Sequence, residues 1–195
     1  MKKWSHVYLA KLLLPQSTIF LLILVSCTTS SENDQANSVD FEVAEATITQ
    51  LHTAMSEGQI TSSELVESYL ARIDKYDRNG PKLNSIIRLN PNALEQAMAL
   101  DKERVENGMR GPLHGIPILL KDNYNTVDMA TSASSVALAS FVPQSDAFQV
   151  TRLREAGAVI LGKTNMHELA AGITTVSSLG AVSYTHLTLP TIYSV

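Results

Sequence analysis

Three features of this 195-residue chain predict an α/β fold in which helices cover a largely parallel sheet. Residues 116–120 (Ile-Pro-Ile-Leu-Leu) and 158–161 (Ala-Val-Ile-Leu) are short apolar runs of the kind that form strands buried on both faces. Residues 148–156 lie between them with helical periodicity, giving the order strand, helix, strand. A composition of 45% apolar and 17% charged residues is that of a globular chain, and its length suffices for one ordinary domain.

The elements follow in order. Residues 43–56 have helical spacing, with Ile48, Leu51 and Met55 expected inward and Gly58 as the stop. Thr61-Ser62-Ser63-Glu64 has the spacing of a capping box, so a second helix is expected over 62–76 with Leu65, Tyr69 and Ile73 inward. Gly80-Pro81 turns the chain into an extended segment at 83–89. Asn90-Pro91-Asn92 opens a third helix that ends near Asn107-Gly108, with Leu94, Ala97, Met98 and Val105 along one side. The strand at 116–120, a loop over 126–134, the helix at 148–156 and the strand at 158–161 complete the body.

Lys121 is the leading candidate for chemistry. It follows Ile118-Leu119-Leu120, neighbours that draw it towards a core, and lysine is rarely fully buried without a partner. Desolvation disfavours the charged amine, so such a lysine can serve as a general base. A strand-end lysine that snorkels to water is the plainer alternative, and spacing alone favours it.

The surrounding residues carry more. Gly111-Pro112-Leu113-His114-Gly115-Ile116-Pro117-Ile118-Leu119-Leu120-Lys121-Asp122-Asn123 resembles the lysine segment of the amidase signature family. Met129-Ala130-Thr131-Ser132-Ala133-Ser134 resembles that family's Thr/Ser/Gly-rich loop, and residues 152–165, ending in Gly162-Lys163-Thr164-Asn165, its next helix-to-strand segment. Residues 51–90 are similar to its N-terminal helices. The likeness spans roughly 41–181 and is strongest towards bacterial peptide amidases and related secreted amidases. It implies the N-terminal part of the amidase signature fold, with a mixed, largely parallel central sheet covered by helices. It also implies an amide hydrolase with a Ser–Ser–Lys triad working through an acyl-enzyme, in which Lys121 matches the lysine. A serine needs such a neighbouring base before it becomes a useful nucleophile. No cofactor and no metal are implied, and the substrate would be a small-molecule or peptide amide.

After Ala181 the likeness fails. Residues 182–195 contain no Gly-Ser-Ser-Gly loop and no Asp, Glu, Lys or Arg, and they resemble a translated adapter read-through. Both catalytic serines are therefore expected beyond this sequence, leaving the fragment inactive. Ser177 and Ser178 are better read as turn or pocket residues than as substitute nucleophiles.

At the other end, Lys2, Lys3 and Lys11 precede the apolar run Ile19-Phe20-Leu21-Leu22-Ile23-Leu24-Val25, which closes at Ser26-Cys27. This is the form of an export signal, and the apolar core is short of the ~20 residues of a membrane span. Leu24-Val25-Ser26-Cys27 resembles a bacterial lipobox. The expected organisation is a signal peptide over 1–26, lipidation at Cys27, a polar tether over 27–40, and the amidase portion over 41–181. Attachment of the protein to a cell-envelope membrane would follow. Cys27 is the only cysteine, which excludes an intramolecular disulfide.

Other motifs are weaker. Gly157-Ala158-Val159-Ile160-Leu161-Gly162-Lys163-Thr164 matches the P-loop pattern, but Ala-Val-Ile-Leu has the character of a strand and leaves no bend to wrap phosphates. His52, His114, His167 and His186 lack metal-ligand spacing. His114 is expected to order the loop before the strand, and His167-Glu168 to open a helix. Asp122 and Asn123 suit a strand-end turn as well as a supporting role beside Lys121. A net charge of −4 gives no basic footprint for nucleic acid. The rival functions are the amidotransferase branch of the same family, which the export signal disfavours, and a non-catalytic lipoprotein that binds amide-like ligands or nucleotides.

Overall fold

A computed structural model of the protein describes residues 41–180. The expected signal peptide, the expected lipidation site Cys27, the expected tether and the 182–195 tail lie outside the described residues. Among the described residues, four α-helices and three strands appear in the order α1 (Ile48–Ser56), α2 (Ser62–Arg72), β1 (Ile86–Leu89), α3 (Ala93–Asn107), β2 (Pro117–Lys121), α4 (Phe148–Glu155) and β3 (Val159–Thr164).

The helix starts are local chemistry. Thr61 accepts from the Glu64 N–H at 3.1 Å while Glu64 accepts from the Thr61 N–H at 2.8 Å, the reciprocal bonds expected from the sequence. Thr47 and Gln50 do the same for α1. Asp101 of α3 adds a second cap to α2, accepting from the N–H groups of Ser62 and Ser63 at 2.6 and 2.9 Å. Helix α2 then widens into a π-helical stretch over Ile73–Arg78.

The sheet has the order β1-β3-β2, with β3 central. β2 and β3 run parallel, as the crossover through α4 requires, whereas β1 pairs with β3 antiparallel. The sheet is therefore mixed. β3 buries alternate residues on opposite faces. Val159 and Leu161 pack with Val66 of α2 and Ala93, Ala97 and Leu100 of α3, while Ile160 packs with Leu120, Met129 and Val150 of α4. A third cluster joins Leu51, Ala54 and Met55 of α1 to Ile60, Leu65 and Ile116.

The apolar sides expected for α1 and α3 are met only in part, with Ala97 buried. Ile48 is exposed, as are Met98 and Val105, the last at 88%. In α3 the buried stripe is Ala93, Ala97 and Leu100, one position off the larger residues. The small alanines let α3 approach α2 and β3 closely, and bulkier side chains are left on its flank.

The P-loop pattern is a strand, as the Ala-Val-Ile-Leu run predicts. Residues 159–164 form a strand with Gly162 inside it, where a Cβ would collide with the Arg88 carbonyl oxygen. The glycine serves close approach of β1, not phosphate binding.

Candidate active site at the carboxyl edge of the sheet

β2 and β3 end together, with Lys121 beside Thr164 in register. The carboxyl ends of parallel strands are where open α/β sheets place ligands. Lys121 is exposed and makes no side-chain hydrogen bond among the described residues. The expectation that its neighbours draw it into a dry interior is thus not met within residues 41–180. Alternation explains this: Leu120 faces the α4 core, which sends Lys121 to the other face, where Leu119 is also exposed.

The buried lysine is Lys163, which is fully covered. The parallel ladder pairs Ile118 with Ile160 and then Leu119 with Gly162, skipping Leu161. That irregularity puts Lys163 opposite Leu120 and turns it to the covered face. Its Nζ donates to the Tyr124 carbonyl at 2.7 Å and to Thr131 Oγ1 at 3.0 Å. Burial pushes its pKa below the ordinary value, against the opposing pull of the nearby Asp122 carboxylate.

Asp122, next after Lys121, is completely buried. Its Oδ2 accepts from the N–H groups of Ser132 and Ser134 at 3.2 and 3.0 Å and from the Ser132 hydroxyl. The bend it holds has two successive residues in left-handed backbone conformation, Ala133 (φ 48°) and Ser134 (φ 57°). Converging N–H groups on such a bend form an anion nest, and here the anion is internal. Of the two readings of Asp122, the structure gives a buried anchor for the loop beside Lys121. Asn123 is exposed in the turn.

Asn165 joins the same edge. Its Oδ1 accepts from the Met166 N–H (2.9 Å), Ser134 Oγ (3.0 Å) and Ser177 Oγ (3.2 Å). Ser177 and Ser178 hold a turn, as expected: Ser177 Oγ accepts from the Gly180 N–H at 3.0 Å, and the Ser178 N–H donates to Glu168 at 2.8 Å. Glu168 also accepts from Ser135 Oγ at 2.6 Å, and that bond leads the lowering of its pKa. The helix expected at His167-Glu168 is replaced by a single 3-10 turn, Glu168–Ala170, broken by Leu169 at φ 54°.

His114 is structural. The Arg110 N–H can only donate, so Nδ1 is the acceptor at 3.0 Å, and the proton resides on Nε2, which donates to the Leu100 carbonyl at 2.9 Å. The ring ties α3 to the loop before β2. Among the described residues no three His, Cys, Asp or Glu side chains gather as metal ligands. Sequence reasoning did not single out Lys163 or Asn165 as site residues; polar side chains directly after the apolar run 158–161 were the available signal.

The molecule is thus an α/β protein whose polar residues gather at the carboxyl end of its strands. The Amidase family profile matches residues 64–185, and the chain belongs to that family, of which it carries an N-terminal portion. An amidase-family protein of Schizosaccharomyces pombe is 46% identical over 127 residues, covering 65% of this chain and 21% of the relative. A glutamyl-tRNA(Gln) amidotransferase subunit from Methylococcus capsulatus is also 46% identical over 127 residues, covering 65% and 25%. The native peptide amidase from Stenotrophomonas maltophilia superimposes with a TM-score of 0.70 at 47% identity, covering 73% of this chain and 30% of that one. The chain therefore spans less than a third of the length of these relatives.

Proposed function

We propose that the full-length protein hydrolyses a carboxamide C–N bond through a serine acyl-enzyme, with Lys121 as the base. The observation that carries this reading is the position of Lys121. It is an uncommitted amine at the carboxyl end of β2, flanked by a bend that buried Asp122 holds in place. A lysine base acts in its uncharged form, which cover from solvent favours. In this reading the cover, both triad serines and the oxyanion donors come from further chain of the length seen in the relatives, and the 195 residues alone do not turn over amides. The likeness to a peptide amidase favours peptide amides as substrates. The residues before Cys27 favour export and lipid attachment at the cell envelope.

The test is a peptide-amide hydrolysis assay on the complete gene product and its Lys121→Ala variant. The expected loss in kcat is about 10³-fold or more, the scale for removing a member of such a triad. An alanine variant near the wild-type rate would refute the assignment. A second reading, glutamine-dependent amidation of aminoacyl-tRNA, is favoured by the relative from Methylococcus capsulatus. Glutamine-driven amidation of a charged tRNA, without release of ammonia from peptide amides, would establish it instead.

A further inference from the structure

We infer that Asn165 is a positioning residue: its carboxamide fixes the turn at 177–180, and so sets where the chain following Gly180 stands relative to Lys121. This rests on the hydrolase reading above. Asn165 directly follows Thr164, the register partner of Lys121. Its side chain lies in a residue only 9% exposed. Beyond the three donors to Oδ1, its Nδ2 donates to the carbonyls of Asn84 (3.5 Å) and Gly180 (3.3 Å). Backbone partners fix the amide's orientation, because the Met166 N–H only donates and the two carbonyls only accept.

The bonds form a continuous path between the two things that must be aligned. Lys121 is bonded covalently to Asp122, Asp122 holds the Ser134 N–H, and Ser134 Oγ donates to Asn165. Asn165 in turn reaches Gly180 directly and Ser177 through Oδ1. A separate tie, from the Leu179 N–H to the Ser134 carbonyl at 3.2 Å, holds the same turn to the same bend. Gly180 lies so close that a Cβ on it would stand 2.5 Å from Asn165 Oδ1. Asparagine is the residue that offers an acceptor and two donors at this reach. Aspartate would set a second acceptor against two carbonyls, and glutamine would overshoot by a methylene.

The experiment uses the complete gene product, with kcat and KM for a peptide amide, thermal unfolding, and hydrogen exchange at Leu179 and Gly180. For Asn165→Asp we expect kcat to fall about tenfold to a hundredfold, as displacements near 1 Å do, with KM within about twofold. The Gly180 amide should exchange faster while the global unfolding temperature stays close to wild type. Gly180→Ala, which keeps the Asn165 chemistry and pushes its amide, should lower kcat in the same way. If Asn165→Asp does not fold, Gly180→Ala decides alone. An active wild type whose folded variants keep kcat within twofold overturns this inference and spares the hydrolase reading. Loss of kcat that only follows the folded fraction also overturns it. A wild type without amidase activity sinks that reading and this role with it.

Discussion

Lys163 donates to the backbone carbonyl of Tyr124 at 2.7 Å and so stitches the centre of the sheet to the turn that follows Lys121. Thr131 Oγ1 donates to the same carbonyl at 3.1 Å while accepting from Lys163, so three segments converge on one oxygen. The loop over the site is thereby fastened twice, by this amine below and by Asp122 at the bend.

Burial of Lys163 makes stability depend on alkaline pH. Its folded-state pKa is lowered from 10.5, chiefly by desolvation, so the unfolded chain holds more protons in the window just under that value. Stability from this group therefore rises as pH climbs through the window, and the full penalty is present below the folded-state value. Urea midpoints measured across that range should climb more steeply for wild type than for Lys163→Met. Parallel slopes would remove the cause assigned here.

Asp122→Ala should destabilise by about 2–4 kcal/mol, because buried donors on Ser132 and Ser134 lose their acceptor. Asp122→Asn keeps one acceptor oxygen and should cost less. Chemical denaturation gives the ranking, and exchange at the Ser132 and Ser134 amides localises it. Protection unchanged at those amides in the alanine variant would show that the bend does not depend on the carboxylate.

The features read correctly from sequence are the ones whose causes are local. The Thr61 to Glu64 capping box lies within one turn, and the position of Lys121 at a strand end follows from the apolar run before it. The segment at 83–89 was legible as extended, but its antiparallel pairing depends on a partner about 75 residues away. The face of Lys163 depends on a ladder irregularity that strict alternation does not contain, so the polar residues after the apolar run mark the strand end without showing which face this lysine takes. Asn165 draws its partners from residues 84, 134, 166, 177 and 180, and only the folded chain brings these together. In α3, choosing Met98 and Val105 by hydrophobicity missed that helix packing here is set by small residues.

His114→Ala should lower stability by about 2–4 kcal/mol, from a cavity and two orphaned backbone groups, Arg110 N–H and the Leu100 carbonyl. Activity per folded molecule of the complete enzyme should stay at the wild-type level, because both ring nitrogens are committed to the backbone of Arg110 and Leu100. A large fall in kcat with stability unchanged would instead bring His114 back as a participant.

The 195-residue chain on its own should self-associate. Among the described residues both β1 and β2 are edges of the three-stranded sheet, and an unpaired edge is a template for other chains. Large apolar side chains also stand in solvent, among them Phe148 at 76% and Ile173 at 83%. Patches of this kind on a small domain mark surfaces that want a partner. Further chain of the length found in the relatives would cover them, so the complete protein should be free of the effect. Sedimentation velocity at several concentrations, together with binding of a hydrophobic dye, compares the two directly. A sharp two-state unfolding transition from a dye-negative monomer of the short chain would contradict the expectation, and would show that residues 41–180 form a self-sufficient unit.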